Sequence, residues 1–262
     1  TAASDRDDMK GGIGADKMFG MSDNDKMDGG AGDDQMWGNS GNDTMSGGDG
    51  NDVMSGGAGD DVMSGGAGND KLVGNSGNDK FIADAGDDSY DGSSGFDTID
   101  YSGASNGISV NLNAHTVTGM GTDTIKGVES VIGSAYADSL IGDKNANVFD
   151  GGAGDDTFRG RGGADTFTGG KGNDTYLWAV KDVGAAQGVD HIRDFTAGDH
   201  LNFHDLLKGQ KFSSISDVVK VTDKAEGSTV AVKVGGAFVD VVTLDGVHGT
   251  SALELLKAGM IL

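Results

Sequence analysis

The chain of 262 residues contains no cysteine and no proline. The absence of cysteine excludes a disulfide framework and a thiolate metal site. The absence of proline matters because 49 residues are glycine, and a disordered linker does not usually combine abundant glycine with no proline. Aromatic residues make up only 6% of the chain, so we do not expect an ordinary hydrophobic core.

Positive charges are also scarce. Lys and Arg number 19 against 42 Asp and Glu, which gives a net charge of −23 at pH 7. So acidic a chain is a poor partner for nucleic acid or an anionic membrane, and it favours cations. No apolar run approaches the length of a membrane span, so we expect no membrane insertion. Residues 1–10 do not resemble a signal peptide, and the chain begins without Met, which suggests a fragment or a processed form.

Most of the chain is a nine-residue repeat, seen in "GGDGNDVMSGGAGDDVMS" at residues 47–64. Eleven units follow one another without insertion from residue 2 to residue 100, and five more occupy residues 133–177. The sixth place of each unit is Asp, except where Asn147 replaces it. The eighth place is Met in the first seven units and Leu, Phe, Tyr or Ile in the others.

A strict short period predicts a solenoid, in which each unit contacts its neighbours. Nine residues fit a tight glycine turn followed by a three-residue strand, whose eighth-place residue points inward while the seventh and ninth point outward. Two units then make one 18-residue coil with a strand on each side. We predict an all-β fold, a parallel β-roll (a β-solenoid) of nonapeptide repeats in two arrays.

The sixth-place Asp residues fall in the turns, about one strand spacing (~4.8 Å) from the Asp two units away. Without counter-ions, such a ladder of carboxylates is destabilising. Ca²⁺ accepts 6–8 oxygens from carboxylates and backbone carbonyls, and glycine turns expose their carbonyls. The arrays have room for about 8–12 ions, and twelve would carry about +24, close to the charge needed for neutrality. A merely solvated acidic surface is the less favoured alternative, and the Met ladder is better explained by packing than by a soft-metal stripe.

The units "GGAGDDVMS" and "GGAGNDKLV" resemble the GGxGxDxUx signature of the RTX (repeats-in-toxin) family of hemolysin-type calcium-binding repeats. The resemblance covers roughly residues 2–177. It implies Ca²⁺ between successive turns, held by the sixth-place carboxylate and by carbonyls of the first, third and fifth places. The expected carboxylate ligands are Asp16, Asp25, Asp34, Asp43, Asp52, Asp61, Asp70, Asp79, Asp88, Asp97, Asp138, Asp156, Asp165 and Asp174. The expected carbonyl ligands are those of Gly29, Ala31, Asp33, Gly38, Ser40, Asn42, Gly47, Asp49, Asn51, Gly56, Ala58, Asp60, Gly65, Ala67, Asn69, Gly74, Ser76, Asn78, Gly151, Ala153 and Asp155. Departures from the signature predict the weakest sites at the ends of the first array and around Asn147.

Residues 101–132 break the register between the arrays. The runs "ISVNL" and "VESVI" predict strands of wider coils that continue the solenoid, and the segment resembles the one that often joins two RTX rolls. It also contains G-x-S-x-G at Gly103–Gly107, the lipase nucleophile pattern. That pattern needs a helix after the Ser, and more strand follows here, so we do not expect Ser105 to be catalytic. No H-E-x-x-H is present, and the repeats leave little room for a catalytic domain.

Residues 178–262 no longer follow the nine-residue repeat. The run "VDHIRDFTAGDHLNF" resembles the segment that follows the rolls in secreted RTX proteases and lipases. The runs "VVKVT", "STVAVKV" and "FVDVVTL" predict an antiparallel β cap with turns at Gly227 and Gly235–Gly236. A short helix capped at Thr250 or Ser251 and ending near Gly259 follows. His200 and His204 are interpreted as solvated or packed histidines in a strand rather than as zinc ligands.

These features predict a non-catalytic calcium-binding module of a larger exported protein. In the family, the last region caps the roll and carries an uncleaved type I secretion signal, and "LDGVHGTSALELLKAGMIL" resembles such a tail. We therefore expect a secreted, extracellular or cell-surface protein of a Gram-negative bacterium, which contacts calcium ions, the type I secretion apparatus and an upstream catalytic or adhesive domain. The alternative is a calcium-dependent adhesin, biofilm or surface-layer component. An ice-binding roll would need outward rows of Thr, which the turns lack.

One apolar feature of the surface follows from the register. Phe19 and Trp37 are 18 residues apart, so both point outward from adjacent strands of one sheet, with Val53 and Val73 further along. Such a strip suggests either docking against a partner or an incidental patch, and the sequence favours the second interpretation.

Overall fold

The computed structural model describes residues 6–184, 187–257 and Gly259. The chain divides into two compact units, residues 1–132 and 133–262. The first unit consists of strands β1 (Asp8–Ile13), β2 (Lys17–Met21), β3 (Lys26–Ala31), β4 (Gln35–Ser40), β5 (Thr44–Asp49), β6 (Val53–Ala58), β7 (Val62–Ala67), β8 (Lys71–Ser76), β9 (Lys80–Ile82), β10 (Ser89–Ser94), β11 (Thr98–Asp100), β12 (Ser109–Asn111), β13 (Thr116–Thr118), β14 (Thr122–Lys126) and β15 (Ser130–Ile132).

The first unit is a parallel β-roll, as predicted. Odd-numbered strands β1 to β11 pair in parallel along one sheet, and even-numbered strands β2 to β10 pair in parallel along the other. Partners lie 18 residues apart, so that Met45 faces Met63 and Met54 faces Leu72. The chain therefore alternates between the sheets, and two nonapeptides complete one coil.

The strands of the first array are longer than the three residues predicted. Most contain six residues, because the glycine pair continues the parallel ladder after the apolar residue. Gly48, for example, pairs with Gly66. In most of these units the second-place residue adopts a positive φ. It is 113° at Gly48, which glycine tolerates without a steric penalty, and 73° at Asn39, which takes the same place.

The segment between the arrays differs from a plain continuation of the coil. β14 and β15 do continue the roll, because they pair in parallel with β10 and β11. β13, however, runs antiparallel to both β12 and β14. The run "ISVNL" thus forms part of an antiparallel insertion, whereas "VESVI" forms the expected parallel strand.

The second unit combines a shorter roll with an antiparallel sheet. Its strands are β16 (Ser139–Ile141), β17 (Val148–Asp150), β18 (Thr157–Arg159), β19 (Thr166–Thr168), β20 (Thr175–Leu177), β21 (Asp190–Ile192), β22 (His200–Asn202), β23 (Val219–Asp223), β24 (Gly227–Val234) and β25 (Ala237–Asp245). Strands β16, β18, β20 and β22 pair in parallel along one side, and β17, β19, β21 and β25 along the other. β23, β24 and β25 form the predicted antiparallel meander.

Helical structure is confined to the second unit of the described chain. Helix α1 (His204–Leu207) and two 3-10 turns, Val180–Asp182 and Ile215–Asp217, were not predicted. Helix α2 (Ala252–Lys257) confirms the predicted C-terminal helix, and the Ser251 hydroxyl accepts the Glu254 amide hydrogen bond at 3.3 Å, as an N-cap does. No helix in the described ranges is long and apolar enough to cross a membrane.

The core of each roll is a double row of eighth-place side chains. Met36, Met54, Leu72 and Phe81 are completely buried in the first unit. In the second unit the row is aromatic, and Phe158 stacks on Tyr176 with ring centroids 5.1 Å apart. The inward orientation predicted for the eighth place is confirmed, and such a narrow core leaves the turns to supply much of the remaining stabilisation.

Candidate metal sites

The sixth-place Asp residues form a continuous hydrogen-bonded ladder along the turns. In most units the backbone amide of the Asp donates to Oδ1 of the Asp 18 residues later, as in Asp34 N to Asp52 Oδ1 at 2.7 Å and Asp43 N to Asp61 Oδ1 at 2.8 Å. Asp43, Asp52 and Asp61 are each only 1% exposed. The parallel register therefore buries a row of carboxyl groups and uses one oxygen of each to hold successive turns together.

Among the described residues, the second oxygen of most of these carboxyl groups has no hydrogen-bond partner. A buried acceptor without a hydrogen bond is costly, so a row of ionised carboxylates of this kind favours a positive counter-charge. Of the fourteen Asp residues predicted as ligands, eleven have a buried Oδ2 with no hydrogen-bond partner within the described residues: Asp16, Asp25, Asp34, Asp43, Asp52, Asp61, Asp70, Asp79, Asp97, Asp156 and Asp165.

Where the first place of a unit is glycine, as in every unit except those that begin at Ala2 and Ala83, that glycine provides the space beside the sixth-place Oδ2. A Cβ added to Gly56 would collide with Asp61 Oδ2 and would lie 3.0 Å from the carbonyl oxygen of Gly74 in the next coil. At Gly47 an added Cβ would collide with both Asp52 Oδ2 and the Gly65 carbonyl oxygen. The turns thus bring a carboxylate oxygen and a carbonyl oxygen from successive coils to one small space, which is the ligand chemistry of a hard divalent cation.

The predicted carbonyl ligands are placed differently in two respects. Asp52 was predicted to act with carbonyls of its own unit, but the structure also brings the Gly65 carbonyl from the next coil to it. The third-place carbonyls already accept hydrogen bonds from the preceding coil, as in Gly50 N to Ala67 O at 2.7 Å. Each carbonyl oxygen has a second lone pair, so this bond leaves capacity for an ion.

The fifth place forms a second ladder that the sequence interpretation missed. Its Asn and Asp side chains accept the amide of the residue 18 positions later, as in Asn69 N to Asn51 Oδ1 at 2.9 Å and Asn78 N to Asp60 Oδ1 at 2.6 Å. Either side chain serves, because both offer Oδ1 as an acceptor. The alternation of Asn and Asp at this place therefore has a structural basis that does not depend on charge.

The sixth-place carboxyl groups are electrostatically unfavourable without a cation. Burial, and then the charges of Asp79 and Asp43, raise the pKa of Asp61 to about 7. Burial, and then the charge of Asp190, raise the pKa of Asp165 to about 8. Shifts in this direction mean that the folded turns penalise ionised carboxylates. A divalent cation beside Oδ2 would reverse that penalty.

Two of the predicted ligands differ from the others because protein donors satisfy Oδ2. Asp88 Oδ2 accepts the Tyr90 hydroxyl at 3.1 Å, and Asp138 Oδ2 accepts the Ser134 amide at 2.6 Å. Asp174 accepts the Asp156 amide through Oδ1 at 3.0 Å, as the ladder requires.

Four acidic residues continue the ladder although the sequence analysis did not assign them. Asp123 accepts the Asp88 amide at 3.2 Å, and Glu129 accepts the Asp97 amide at 3.0 Å. In the second unit, Asp190 and Asp199 accept the amides of Asp165 and Asp174 at 2.9 and 3.0 Å. The available signal was G-x-D/E-x-apolar, which recurs at residues 121–125, 127–131 and 188–192 outside the nine-residue register.

Aromatic side chains donate hydrogen bonds to two of these four additional carboxyl groups. Tyr101 donates its hydroxyl to Asp123 Oδ2 at 3.1 Å, and Trp178 donates Nε1–H to Asp190 Oδ2 at 2.7 Å. These donors occupy the oxygen that is unpaired along most of the ladder. The structure therefore distinguishes carboxyl groups open to a cation from those that the protein satisfies itself.

The turn at Asn147 keeps its backbone geometry but lacks the charge. Asn147 N donates to Asp165 Oδ1 at 2.8 Å, and its own Oδ1 accepts the Asp143 amide at 2.9 Å. The Asn147 amide oxygen and the Gly160 carbonyl oxygen both crowd Gly142. A neutral amide in this position agrees with the expectation of a weakened site, which stays a prediction.

A three-carboxylate group within the first unit was also missed. Asp70, Asp84 and Asp88 each place one oxygen within 4.8 Å of the other two. Asp84 occupies the second place of its unit, where glycine is usual.

Other candidates from the sequence lie apart from the ladder. Ser105 is exposed, and its hydroxyl donates to Asn106 Oδ1 at 3.2 Å. His200 lies in β22 as expected, whereas His204 begins α1 rather than continuing the strand. Phe19 and Trp37 stack outward with ring centroids 4.7 Å apart and an interplanar angle of 7°, which confirms their predicted adjacency.

The fold and the turn chemistry define a parallel β-roll of nonapeptide repeats with a buried carboxylate ladder. A four-copy model of the RTX calcium-binding nonapeptide repeat matches residues 1–36, 37–72, 64–99, 117–158 and 141–176. These segments cover more than half of the chain, which therefore belongs to the family of RTX calcium-binding nonapeptide repeats and confirms the resemblance found in its sequence.

Comparison with solved structures finds similar chains. One is the AlgE6R3 subunit of the Azotobacter vinelandii mannuronan C5-epimerase, at 25% identity and a TM-score of 0.33, over 51% of this chain and 71% of that one. Another is the extracellular lipase LipA from Serratia marcescens, at 18% identity and a TM-score of 0.26, over 80% of this chain and 39% of that one. No curated protein matches the chain.

Proposed function

We propose that this chain is a non-catalytic module that folds when Ca²⁺ fills its turns outside the cell, and that supports the type I secretion and stability of a larger exported protein. The observation that carries the proposal is the row of buried sixth-place carboxylate oxygens without hydrogen-bond partners among the described residues. The chemistry of these turns fits calcium, because Ca²⁺ takes carboxylate and carbonyl oxygens together.

The residues that would hold the ions are the sixth-place Asp residues with an unpaired Oδ2. Carbonyl oxygens of first-place glycines in the next coil would complete the set, as Gly65 does beside Asp52 and Gly74 beside Asp61. About 8–12 ions agree with the number of turns. When bound, each ion would supply positive charge between carboxyl groups that otherwise repel one another.

The mechanism couples binding to folding. With little calcium, repulsion along the ladder keeps the chain open enough to pass through a secretion channel. Extracellular calcium modules bind with Kd of roughly 10⁻⁴–10⁻³ M, so millimolar calcium outside the cell would shift the chain to the folded roll. On this proposal the protein acts outside a Gram-negative bacterium, or on its surface.

The C-terminal region would act as the cap and the export signal. The meander β23–β25 and helix α2 follow the second roll, as a cap would. The tail that resembles a type I secretion signal spans residues 244–262, of which residues 258 and 260–262 lie outside the described part of the chain. An upstream catalytic or adhesive domain would be the cargo. The exposed position of Ser105, bonded to Asn106 and followed by β12 rather than a helix, supports a non-catalytic role.

Circular dichroism of calcium-stripped protein during Ca²⁺ titration tests this function, with Mg²⁺ as the control. We expect a cooperative coil-to-β transition near millimolar Ca²⁺ that Mg²⁺ does not reproduce, because Mg²⁺ requires a tighter octahedral site. A β spectrum that survives complete removal of calcium would show that the core is sufficient alone, and the export switch would be wrong.

A calcium-dependent adhesin or surface-layer component is the second candidate. The observation in its favour is the stack of the exposed Phe19 on the half-buried Trp37, since side-by-side aromatics at a surface are typical of contact surfaces. Sedimentation with and without Ca²⁺ compares the two candidates. Reversible, calcium-dependent association that Trp37→Ser abolishes would favour the adhesin, and a monomer in both conditions would remove it.

A further inference from the structure

Asp84 departs from the repeat in a way that brings a third carboxylate to one turn. The second place of a unit is usually glycine or asparagine, but here it is Asp84. Its carboxylate lies with those of Asp70, from the preceding coil, and Asp88, from its own unit, with one oxygen of each within 4.8 Å of the others. Within the described residues, this is the one such group of three acidic side chains.

Two oxygens of this group are buried and unpaired. Asp70 is 3% exposed, and its Oδ1 accepts the Asp52 amide at 2.7 Å. Its Oδ2 has no partner in the described chain. Asp84 uses Oδ2 to accept the Gly66 amide at 2.7 Å and the Ser64 hydroxyl at 3.0 Å, which leaves its buried Oδ1 unpaired as well. Asp84 is thus held in place by one oxygen while the other has no hydrogen bond.

The comparison with two similar carboxylates shows that this arrangement is specific. Asp143 also occupies the second place of a unit, but its Oδ1 and Oδ2 accept the Asn145 amide and side chain, both at 2.8 Å. Asp194 accepts the amides of Gly169 and Gly170 at 2.9 and 2.8 Å. Both of these residues satisfy their two oxygens within the protein, whereas Asp84 does not.

We propose that Asp70 and Asp84, with Asp88 as a third negative charge beside them, form a cation site that binds more tightly than the other turns of the roll and is filled first. Both oxygens of Asp88 already accept protein donors, the Asp70 amide at 2.9 Å and the Tyr90 hydroxyl at 3.1 Å, so Asp88 contributes its charge. The proposal rests on the calcium-binding function proposed above and adds a hierarchy among its sites. The physical reason is charge, because the affinity of a calcium site rises with the number of its carboxylate ligands. A trivalent lanthanide should prefer this site even more strongly, because the gain from each negative charge grows with the charge of the ion.

The protein contains a spectroscopic reporter for the site. The Tyr90 hydroxyl donates to Asp88 Oδ2 at 3.1 Å, so Tyr90 is close enough to transfer excitation energy to a bound Tb³⁺ ion. Substoichiometric Tb³⁺ added to the calcium-loaded full chain would occupy the most negatively charged site without requiring the protein to fold. Tyrosine-sensitised Tb³⁺ luminescence then measures its occupancy.

The test compares Asp84→Asn with Asp87→Asn. Asp84→Asn removes one charge but keeps an amide oxygen for Gly66 and Ser64, so the turn should be retained. Asp87→Asn removes the same charge three residues away, in a fifth place where Asn already occurs in other units. We expect wild type and Asp87→Asn to saturate with one early Tb³⁺ ion, and Asp84→Asn to need at least tenfold more Tb³⁺ for the same signal.

Tyr90→Phe identifies the source of the signal, which should be lost with this variant. If Asp84→Asn and Asp87→Asn titrate alike, Asp84 only clamps the turn and the proposal is wrong. Circular dichroism of the same samples separates this from a failure of the proposed function. If the wild type shows its calcium-dependent circular dichroism transition but the two variants give identical Tb³⁺ titrations, only the proposed site is wrong. If the wild type shows no calcium-dependent transition, the proposed calcium switch itself is wrong.

Discussion

At the scale of single residues, the first-place glycine, which is present in every unit except those that begin at Ala2 and Ala83, is required by space rather than by backbone conformation. Gly56 does not have a positive φ, yet an added Cβ would collide with Asp61 Oδ2 and crowd the Gly74 carbonyl. The missing side chain is what allows a carboxylate and a carbonyl from successive coils to approach one point. At Gly56 the need for glycine is therefore a need of the candidate metal site.

Gly56→Ala should accordingly destabilise the calcium-loaded protein by about 1–3 kcal/mol, the usual cost of overpacking a filled space. Gly103→Ala is a matched control, because nothing lies within 4 Å of a Cβ at Gly103 and its φ is not positive. Urea unfolding in saturating Ca²⁺ measures both variants. Equal unfolding midpoints for the two would show that the space beside Asp61 is not needed.

Asn147 offers the opposite test, a gain of charge. Asn147→Asp should add one bound ion and, at calcium ten times its Kd, about 1.4 kcal/mol of stability. In calcium-free buffer the same change should destabilise the roll, because it adds a buried carboxylate. Equilibrium dialysis counts the ions, and Asn69→Asp is the control, since Asp60 already fills the equivalent fifth place. An unchanged ion count would show that the Asn147 turn lacks the other ligands.

At the scale of elements, each turn depends on the turns of the coils before and after it. Within the first unit the sixth-place ladder passes from the amide of one coil to the carboxylate of the next, and the fifth-place ladder runs alongside it. Burial raises the pKa of Asp61 and Asp156 to about 7 and that of Asp70 and Asp97 to about 6. The ladder is thus a titrating element as well as a structural one.

The calcium-free roll should therefore lose stability as pH rises from about 5 to about 8. Its carboxyl groups keep protons up to pH 6–8 when folded, but release them near pH 4 when unfolded. The folded state binds more protons in this range, so the free energy of unfolding falls as pH increases. Urea midpoints in calcium-stripped buffer measure the trend.

Saturating calcium provides the control for this prediction. The dependence on pH should reverse, because the ions require deprotonated ligands and compete with protons. A calcium-free midpoint that is constant or increases with pH would contradict the raised pKa values.

At the scale of the whole molecule, the charge of −23 is concentrated along the turns. Each roll contributes only a narrow core of eighth-place side chains, such as Met54 in the first unit and Phe158 in the second. Stability of the folded rolls therefore depends both on hydrophobic burial in the core and on neutralisation of the negative charge in the turns. For a chain of this family, Ca²⁺ is the natural source of the positive charge that neutralises the turns.

Small-angle scattering should show calcium-dependent folding as a decrease in the radius of gyration. An unfolded chain of this length has a radius of gyration of about 56 Å, and repulsion along the chain favours expansion. We expect calcium-stripped protein at neutral pH to approach that value and Ca²⁺ to reduce it to less than half. Magnesium at equal ionic strength is the control for screening. A compact chain without calcium would be inconsistent with export in an open state.

The sequence predicted the repeating part of the protein well because that part is local and periodic. The 18-residue coil, the inward eighth place and the sixth-place ladder all follow from a nine-residue period. The C-terminal meander was predictable from alternating apolar and polar residues separated by glycine turns. Helix α2 was predictable from its N-cap at Ser251. Helix α1 was missed because its four residues carry no helical period.

Where the period ends, tertiary structure decided the outcome. Asp123, Glu129, Asp190 and Asp199 join the ladder through partners 25 to 35 residues away, and no fixed spacing marks such pairs. Asp84 and Asp143 occupy the same place in the repeat, yet one faces a neighbouring carboxylate and the other caps its own turn. The sequence alone determined that a charged ladder exists, because the repeat spaces its charges evenly. Only the packing of coils decided which carboxylates are closed by Tyr90, Tyr101 or Trp178 and which stay open to a cation, because that depends on which side chains meet in space.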